Sequence, residues 1–140
     1  MKYLGLDLGT RTLGLSISDK MGMIARTYET IRFEDNDYET TLPRLKEIIE
    51  EEEVDILVLG LPKNMNNTQG YRCEETLEYK KLLEQNIKNE IVLQDERLST
   101  KEAHNIMIEG NMSRKKRKQK VDSLAANIIL QTYLDKKKGE

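Results

Sequence analysis

Residues 54–60, Val-Asp-Ile-Leu-Val-Leu-Gly, narrow the possible folds more than any other stretch of this chain. The run is nearly continuous in large aliphatic residues, far too short to span a membrane, and follows four consecutive glutamates. Such a run reads as a β-strand covered on both faces, since a strand with one wet face would alternate. Covering two faces of a sheet requires layers on each side, and helices are the usual cover. Upstream, Leu13-Gly-Leu-Ser-Ile-Ser18 does alternate, large apolar against small, as a half-buried strand should. Residues 2–8 form another strand ending at Gly9, and the short link Gly9-Thr10-Arg11-Thr12 predicts an antiparallel hairpin. A third strand occupies part of 23–31, after a turn near Met21-Gly22.

Leu42, Leu45, Ile48 and Ile49 recur at helical spacing, and Glu50–Glu53 after them are expected on largely solvated surface. A loop from Leu61 to about Gly70 leads to a helix through Leu77, Leu82 and Leu83. Ile91-Val92-Leu93 is a fifth strand, running out at Gln94-Asp95-Glu96-Arg97. Ser99-Thr100 can cap a helix to Ile108, which Gly110 stops. Val121, Leu124, Ala125, Ile128 and Ile129 mark a last helix, placed after a basic run. The order β-β-β-α-β-α-β-α-α describes a single α/β domain over 1–140, with a mixed sheet and helices on both faces.

Composition excludes several classes. One cysteine, Cys73, allows neither an intramolecular disulfide framework nor a CxxC zinc site. No stretch approaches the roughly 20 apolar residues of a membrane span, and Asp7 and Arg11 interrupt any leader-like opening. A cytoplasmic protein without a membrane partner is expected. The net charge of −2 hides an asymmetry: residues 1–90 hold 12 Lys/Arg against 18 Asp/Glu, while 91–140 hold 11 against 7. A polyanion can still bind the basic third, because local potential decides.

Three acidic positions resist explanation as ordinary surface. Asp7 lies between Leu6 and Leu8 in the first strand, where an isolated carboxylate is costly. It either accepts N–H groups from the Gly9-Thr10 turn or holds a cation. Asp95 and Glu96 end the fifth strand, where ligand sites of open parallel sheets gather, though Arg97 could pair with either. Asp122 meets Ala126, Ile129 and Tyr133 at helical spacing, so it is a boundary residue, an N-terminal cap or a ligand. One carboxylate from the first strand, one from a later strand end and one from the last helix can converge. Hard oxygen ligands suit Mg²⁺ or Mn²⁺, two of which about 3.5–4 Å apart can drive phosphodiester hydrolysis. His104, the only histidine, is expected to be structural or exposed. The run Ser113-Arg-Lys-Lys-Arg-Lys-Gln-Lys120 is either a solvated linker or a grip on a phosphate backbone; without aromatics it is unsuited to base stacking.

Five segments in order resemble the YqgF family of bacterial proteins, described as Holliday-junction resolvases and as pre-16S rRNA nucleases. They are Leu-Asp-Leu-Gly-Thr-Arg-Thr-Leu-Gly-Leu-Ser at 6–16, Gly-Leu-Pro-Lys-Asn-Met at 60–65 and Asp-Glu-Arg-Leu-Ser-Thr at 95–100. Ser-Arg-Lys-Lys-Arg-Lys at 113–118 and Val-Asp-Ser-Leu-Ala-Ala-Asn-Ile-Ile-Leu-Gln-Thr-Tyr-Leu-Asp at 121–135 complete the set. The resemblance implies an RNase H-like fold with a five-stranded mixed sheet, its first three strands antiparallel and the rest parallel. It implies a metal-dependent nuclease whose ligands are Asp7, Glu96 and Asp122, with Asp95 as a possible addition. Arg11, Arg97, Arg114, Lys115, Lys116, Arg117 and Lys118 would bind the substrate backbone. The family usually has Asp-Gly after the loop Asn-Met; here Asn66-Asn67 stand there, which puts any loop carboxylate in doubt.

Pre-rRNA is the substrate the resemblance favours, with branched DNA and a non-catalytic nucleic-acid-binding module as alternatives. Asp-Leu-Gly-Thr also looks like the phosphate turn of the sugar-kinase and actin superfamily, but those proteins enclose ATP between two such domains. No feature of the sequence distinguishes monomer from homodimer.

Overall fold

The structure, a computed structural model, describes residues 1–9, 11–34, 37–61, 71–95 and 114–138. β1 (Tyr3–Leu8) and β2 (Thr12–Ser18) form the predicted antiparallel hairpin, with Leu8 opposite Leu13. Its turn is closed by the Gly9 N–H donating to the Thr12 carbonyl at 2.7 Å. A Cβ on Gly9 would stand 2.9 Å from Thr12 Oγ1 and 3.2 Å from its carbonyl oxygen, so only glycine fits comfortably. β3 (Ala25–Arg32) continues antiparallel to β2, with a register shift between Leu15 and Ser16. After a short 3₁₀ turn at Tyr38–Thr41 come α1 (Leu42–Glu51), β4 (Ile56–Leu61), α2 (Tyr71–Asn86), β5 (Glu90–Asp95) and α3 (Arg114–Lys138).

The sheet order is β3-β2-β1-β4-β5, with β1, β4 and β5 parallel. This is the expected five-stranded mixed sheet, and its two faces are segregated by the pleat. Leu4, Leu6 and Leu8, with Leu13, Leu15 and Ile17, pack on α1 and α2 through Leu45, Ile48, Tyr79 and Leu83. Tyr3, Ile56 and Val58 face the other way and pack on Ile129, Leu130 and Leu134 of α3. β4 is buried on both sides, as its uninterrupted apolar sequence predicts.

α3 docks through small residues. Ser16 is fully buried, and its Oγ donates to the Ala126 carbonyl at 2.9 Å. Gly5, across from Ser16 on β1, leaves no gap: a Cβ there would lie 2.8 Å from Leu130 Cβ. Gln131 ties the far end, accepting from the Ala25 N–H at 2.8 Å and donating to the Met23 carbonyl at 3.2 Å.

Two expectations need correction. Leu13–Ser18 is not half-buried: Gly14, Ser16 and Ser18, on its second face, are buried as well, because α3 packs there against small residues. The basic run does not precede the last helix; residues 114–120 are its first two turns. Lys and Arg are good helix formers, but a stretch without apolar residues offers no periodicity to read. Glu50–Glu53 are largely solvated, as expected, with one exception. Glu52 is half-buried, accepts from Lys2 Nζ at 2.9 Å and from the Tyr28 hydroxyl at 3.3 Å, and is held below its ordinary pKa chiefly by Lys2. The expectations for the loop after Leu61, for a helix over 99–108 and for His104 lie outside the described residues.

α1 is clamped to β3 by Arg44, whose Nε and Nη2 reach the two Glu29 carboxylate oxygens at 2.9 and 2.7 Å. Hydrogen bonding to that guanidinium lowers the Glu29 pKa. A carboxylate depressed in the folded state adds stability above its unfolded pKa and loses it as the pH falls through the folded one. Glu29→Gln should therefore lower the urea midpoint at neutral pH, and the gap to the parent should close in acid below the ordinary carboxylate range. A gap independent of pH would show that the pair contributes packing rather than charge.

Candidate active site

Asp7 is the penultimate residue of β1 and is half-buried, on the α3 face of the sheet. The Gly9 amide that could have capped it donates to Thr12 instead. On one side Asp7 pairs with Gly14 of β2, which has no side chain to crowd it. On the other, the β1–β4 ladder runs from Tyr3↔Ile56 to Leu6↔Leu59, one residue short of Asp7, while β4–β5 continues to Leu61↔Asp95. β1 is also where the sheet changes from antiparallel to parallel neighbours. A crevice at the carboxyl end of a parallel pair, at a topological switch point, is where open α/β sheets bind ligands.

The helix above this crevice runs antiparallel to β1. Tyr3 meets Tyr133, ring centroids 5.8 Å apart, and Lys137, whose Nζ donates to the Tyr3 hydroxyl at 3.4 Å. Two residues further along β1, the Gly5 position abuts Leu130 and Ala126. Another two-residue step, about 6.7 Å of strand, reaches Asp7 and matches about four residues of helix, or 6 Å. That step arrives at the turn carrying Asp122, one turn before Ala126. Asp122 thus lies in the third turn of a 25-residue helix, so the reading of it as an N-terminal cap fails. The basic segment 114–118 lies a further turn or more along the same axis, toward the open end of the crevice.

β5 discriminates between its two acidic candidates by alternation. Ile91 and Leu93 pack with the α1/α2 cluster, whereas Val92 packs with α3. Even-numbered positions of β5 therefore share the face of Asp7. Gln94, 9% exposed and level with Gly60, is one of them; sequence reading passed over it, although the same alternation could have singled it out. Asp95 is the last residue of the strand, at an odd position. Glu96 and Arg97 lie outside the described residues. Arg11 is exposed in the hairpin turn beyond Asp7, and its carbonyl accepts from the Phe33 N–H at 2.9 Å.

Among the described residues no three His, Cys, Asp or Glu side chains form a metal-binding cluster. The donor chemistry at the crevice nevertheless suits a hard cation: a carboxylate on a half-buried strand end beside glycines and a buried amide, with no thiol or imidazole among them. Among the described residues Asn127 Oδ1, five positions after Asp122, is buried without a hydrogen-bond partner, though nothing places it at the crevice. The groove between α1 and α2, about 530 Å³ and lined by Leu42, Pro43 and Leu82 among others, is on the opposite face of the sheet and has no part in this site. Among the described residues no helix is long and apolar enough to cross a membrane.

Comparison with known proteins shows the family and the fold. A family model described as "RuvX: Holliday junction resolvase" matches residues 1–136. A protein of Geobacillus sp. (strain WCH70) named "Putative pre-16S rRNA nuclease" is 51% identical over 137 residues, covering 98% of this chain and 99% of the relative. A protein of the same name from Leuconostoc mesenteroides is 50% identical over 138 residues, covering 98% and 96%. Among solved structures, Thermus thermophilus RuvC in complex with a Holliday junction substrate superposes with a TM-score of 0.60 at 16% identity, covering 99% of this chain and 96% of that one. The Fowlpox virus resolvase bound to Holliday junction DNA gives 0.59 at 11% identity, covering 97% and 98%. The structural matches establish the RNase H-like fold of the RuvC-type resolvases.

Proposed function

The chain belongs to the RuvX family, the YqgF family of the sequence comparison, and on that premise we propose that it is a metal-dependent nuclease that processes the 5′ end of pre-16S rRNA in the cytoplasm. The observation that carries this reading is Asp7 at the open end of the β1/β4 crevice, opposite the turn of α3 that bears Asp122. Asp7, Glu96 and Asp122 are the proposed ligands of Mg²⁺ or Mn²⁺. The alternation along Ile91–Gln94 favours Glu96 over Asp95, since an even position continues the face of Asp7. Bound there, the cation would supply Lewis acidity to the scissile phosphodiester and make water a competent nucleophile near neutral pH. The protein's own contribution is positional: a strand and a helix fixed to each other by Gly5, Ser16 and Ala126 hold two of the carboxylates. Arg11, Arg97 and the basic turns of α3 would neutralise backbone phosphates on either side of the cut.

The RNA substrate rests on the names of relatives about half identical to this chain; branched-DNA cleavage is the second reading, favoured by the family description. A side-by-side assay on pre-16S rRNA 5′ fragments and four-way DNA junctions separates them. We expect RNA cleavage that needs Mg²⁺ or Mn²⁺ and stops in EDTA. Cleavage of junctions alone would select the resolvase, and metal-independent RNA binding without turnover would select a binding module.

The helical basic segment gives a quantitative expectation. Lys116→Gln with Arg117→Gln should raise KM with little change in kcat. It should also flatten the dependence of log Kd on log salt by about 0.7–0.9 per contact removed, or roughly 1.5 in all. An unchanged slope in an anisotropy titration would take these two residues off the phosphate backbone.

A further inference from the structure

The end of the sheet opposite Asp7 carries an apolar-cationic surface and an acidic surface side by side. Among the described residues the exposed large apolar side chains are Met1, Met21, Met23 and Ile24, at 67, 78, 44 and 67% exposure, and all four are at this end. The turn that presents three of them is rigidly built. Asp19 Oδ1 accepts the N–H groups of Met23 and Ile24 at 2.7 and 3.1 Å, and the Asp19 carbonyl accepts from the Gly22 N–H at 3.0 Å. Gly22 has φ +69°, and a Cβ there would lie 2.8 Å from the Tyr3 ring. Lys20 and Lys136 are exposed at this end, as are Asp19 and Asp135, and Lys137 lies over the Tyr3 ring at 5.8 Å.

The acidic surface is the end of α1. Glu50, Glu51 and Glu53 are exposed, and the run adjoins the first surface through Lys2, which bonds Glu52 by its Nζ and Asp55 by its backbone N–H. The backbone makes the acidic residue at 53 notable. The Val54 N–H donates to the Ile49 carbonyl and the Glu53 N–H to that of Glu50, a Schellman ending whose left-handed position is usually glycine. Glu53 occupies it with φ 53°, so the chain keeps a charge where glycine would relieve the backbone.

We propose that this end is a self-complementary interface that takes a second copy of the chain about a two-fold axis. Lys20, Lys136 and Lys137 of one protomer face Glu50 and Glu53 of its partner, each pairing made twice, with Met21, Met23 and Ile24 covered between them. A two-fold contact requires both complements on one surface, and both are here. The acidic half disfavours nucleic acid and anionic lipid, and methionine and isoleucine offer no stacking face for bases. The surface is small, so the association is weak and salt-sensitive, in the class of transient interfaces. Asp7 lies four residues, about 13 Å, further along β1 than Tyr3. The crevices of the two copies consequently open at opposite outer ends. The proposal is independent of the chemistry assigned to Asp7.

Sedimentation of the full chain from about 5 to 500 µM, at low and high salt, tests it. The mass should rise from 16.3 kDa toward twice that value, with an approximately tenfold weaker Kd at high salt. Lys20→Glu with Lys136→Glu should abolish association, as should Glu50→Lys with Glu53→Lys; an equimolar mixture of the two double variants should restore it. Met21→Ser with Ile24→Ser should weaken it at least about tenfold. Circular dichroism should be unchanged in all of them, since every position is exposed. A monomer across the range, a dimer indifferent to these changes, or a mixture that fails to associate would each overturn the interface. So would flotation on phosphatidylglycerol vesicles that needs Met21 and Ile24 in a chain that never dimerises.

Discussion

Gly5→Ala is expected to destabilise the protein by about 2–4 kcal/mol and to depress nuclease activity further than that loss explains. In an ordinary strand the same change would be neutral or favourable by up to about 1 kcal/mol, because alanine has less conformational freedom to lose. Packing reverses the sign here. The new Cβ would stand 2.5 Å from Ser16 Oγ, 2.8 Å from Leu130 Cβ and 3.0 Å from the Ala126 carbonyl oxygen. None of these can swing aside: Ser16 Oγ is held by its bond to Ala126, and the other two belong to the helix backbone or its first side-chain atom. The clash is relieved only by lifting α3 from β1, which breaks the buried Ser16–Ala126 bond and shifts the turn carrying Asp122. Urea unfolding gives the stability term. Mn²⁺ titration of the remaining folded protein, read by the metal's own resonance, should show weakened binding. A variant within about 0.5 kcal/mol of the parent would mean that α3 is not held at this height by the glycine.

The same contact explains what could and could not be read in advance. The uninterrupted apolar run at 54–60 told that β4 has two packed faces, but alternation in Leu13–Ser18 misled: β2 is packed on both faces too, its small residues being the side on which α3 sits close. The crevice at Asp7 depended on where a ladder ends, at Leu6↔Leu59, and the residues themselves carry no signal for that. The first two turns of α3 were illegible for a related reason. A helix that projects beyond the sheet has no apolar stripe, and an all-basic segment looks the same whether helical or solvated. The pairing of Glu52 was not legible because its partner, Lys2, is fifty residues away. The acidic triad was found from its family motif more than from any physical necessity.

Asp7→Asn is expected to lower cleavage of pre-16S rRNA fragments by about 10³-fold or more, while shifting stability by less than about 1 kcal/mol. Asparagine has nearly the same shape and can still accept hydrogen bonds, so the substitution removes charge and little else. If Asp7 instead served the fold, as an acceptor for nearby N–H groups, the variant would lose about 1–3 kcal/mol and activity would fall only with the folded fraction. A ligand role also predicts a difference in linkage. Saturating Mn²⁺ should raise the parent's Tm, because a cation bound only to the native state stabilises it by mass action, and should leave the Asp7→Asn Tm almost unmoved. RNA affinity measured without metal should remain within about threefold of the parent, since the proposed phosphate contacts belong to the basic turns of α3. Retained cleavage in a folded Asp7→Asn protein would remove the crevice from the chemistry. Lost cleavage with an undiminished Mn²⁺ shift would move the metal elsewhere and leave Asp7 a role at the substrate.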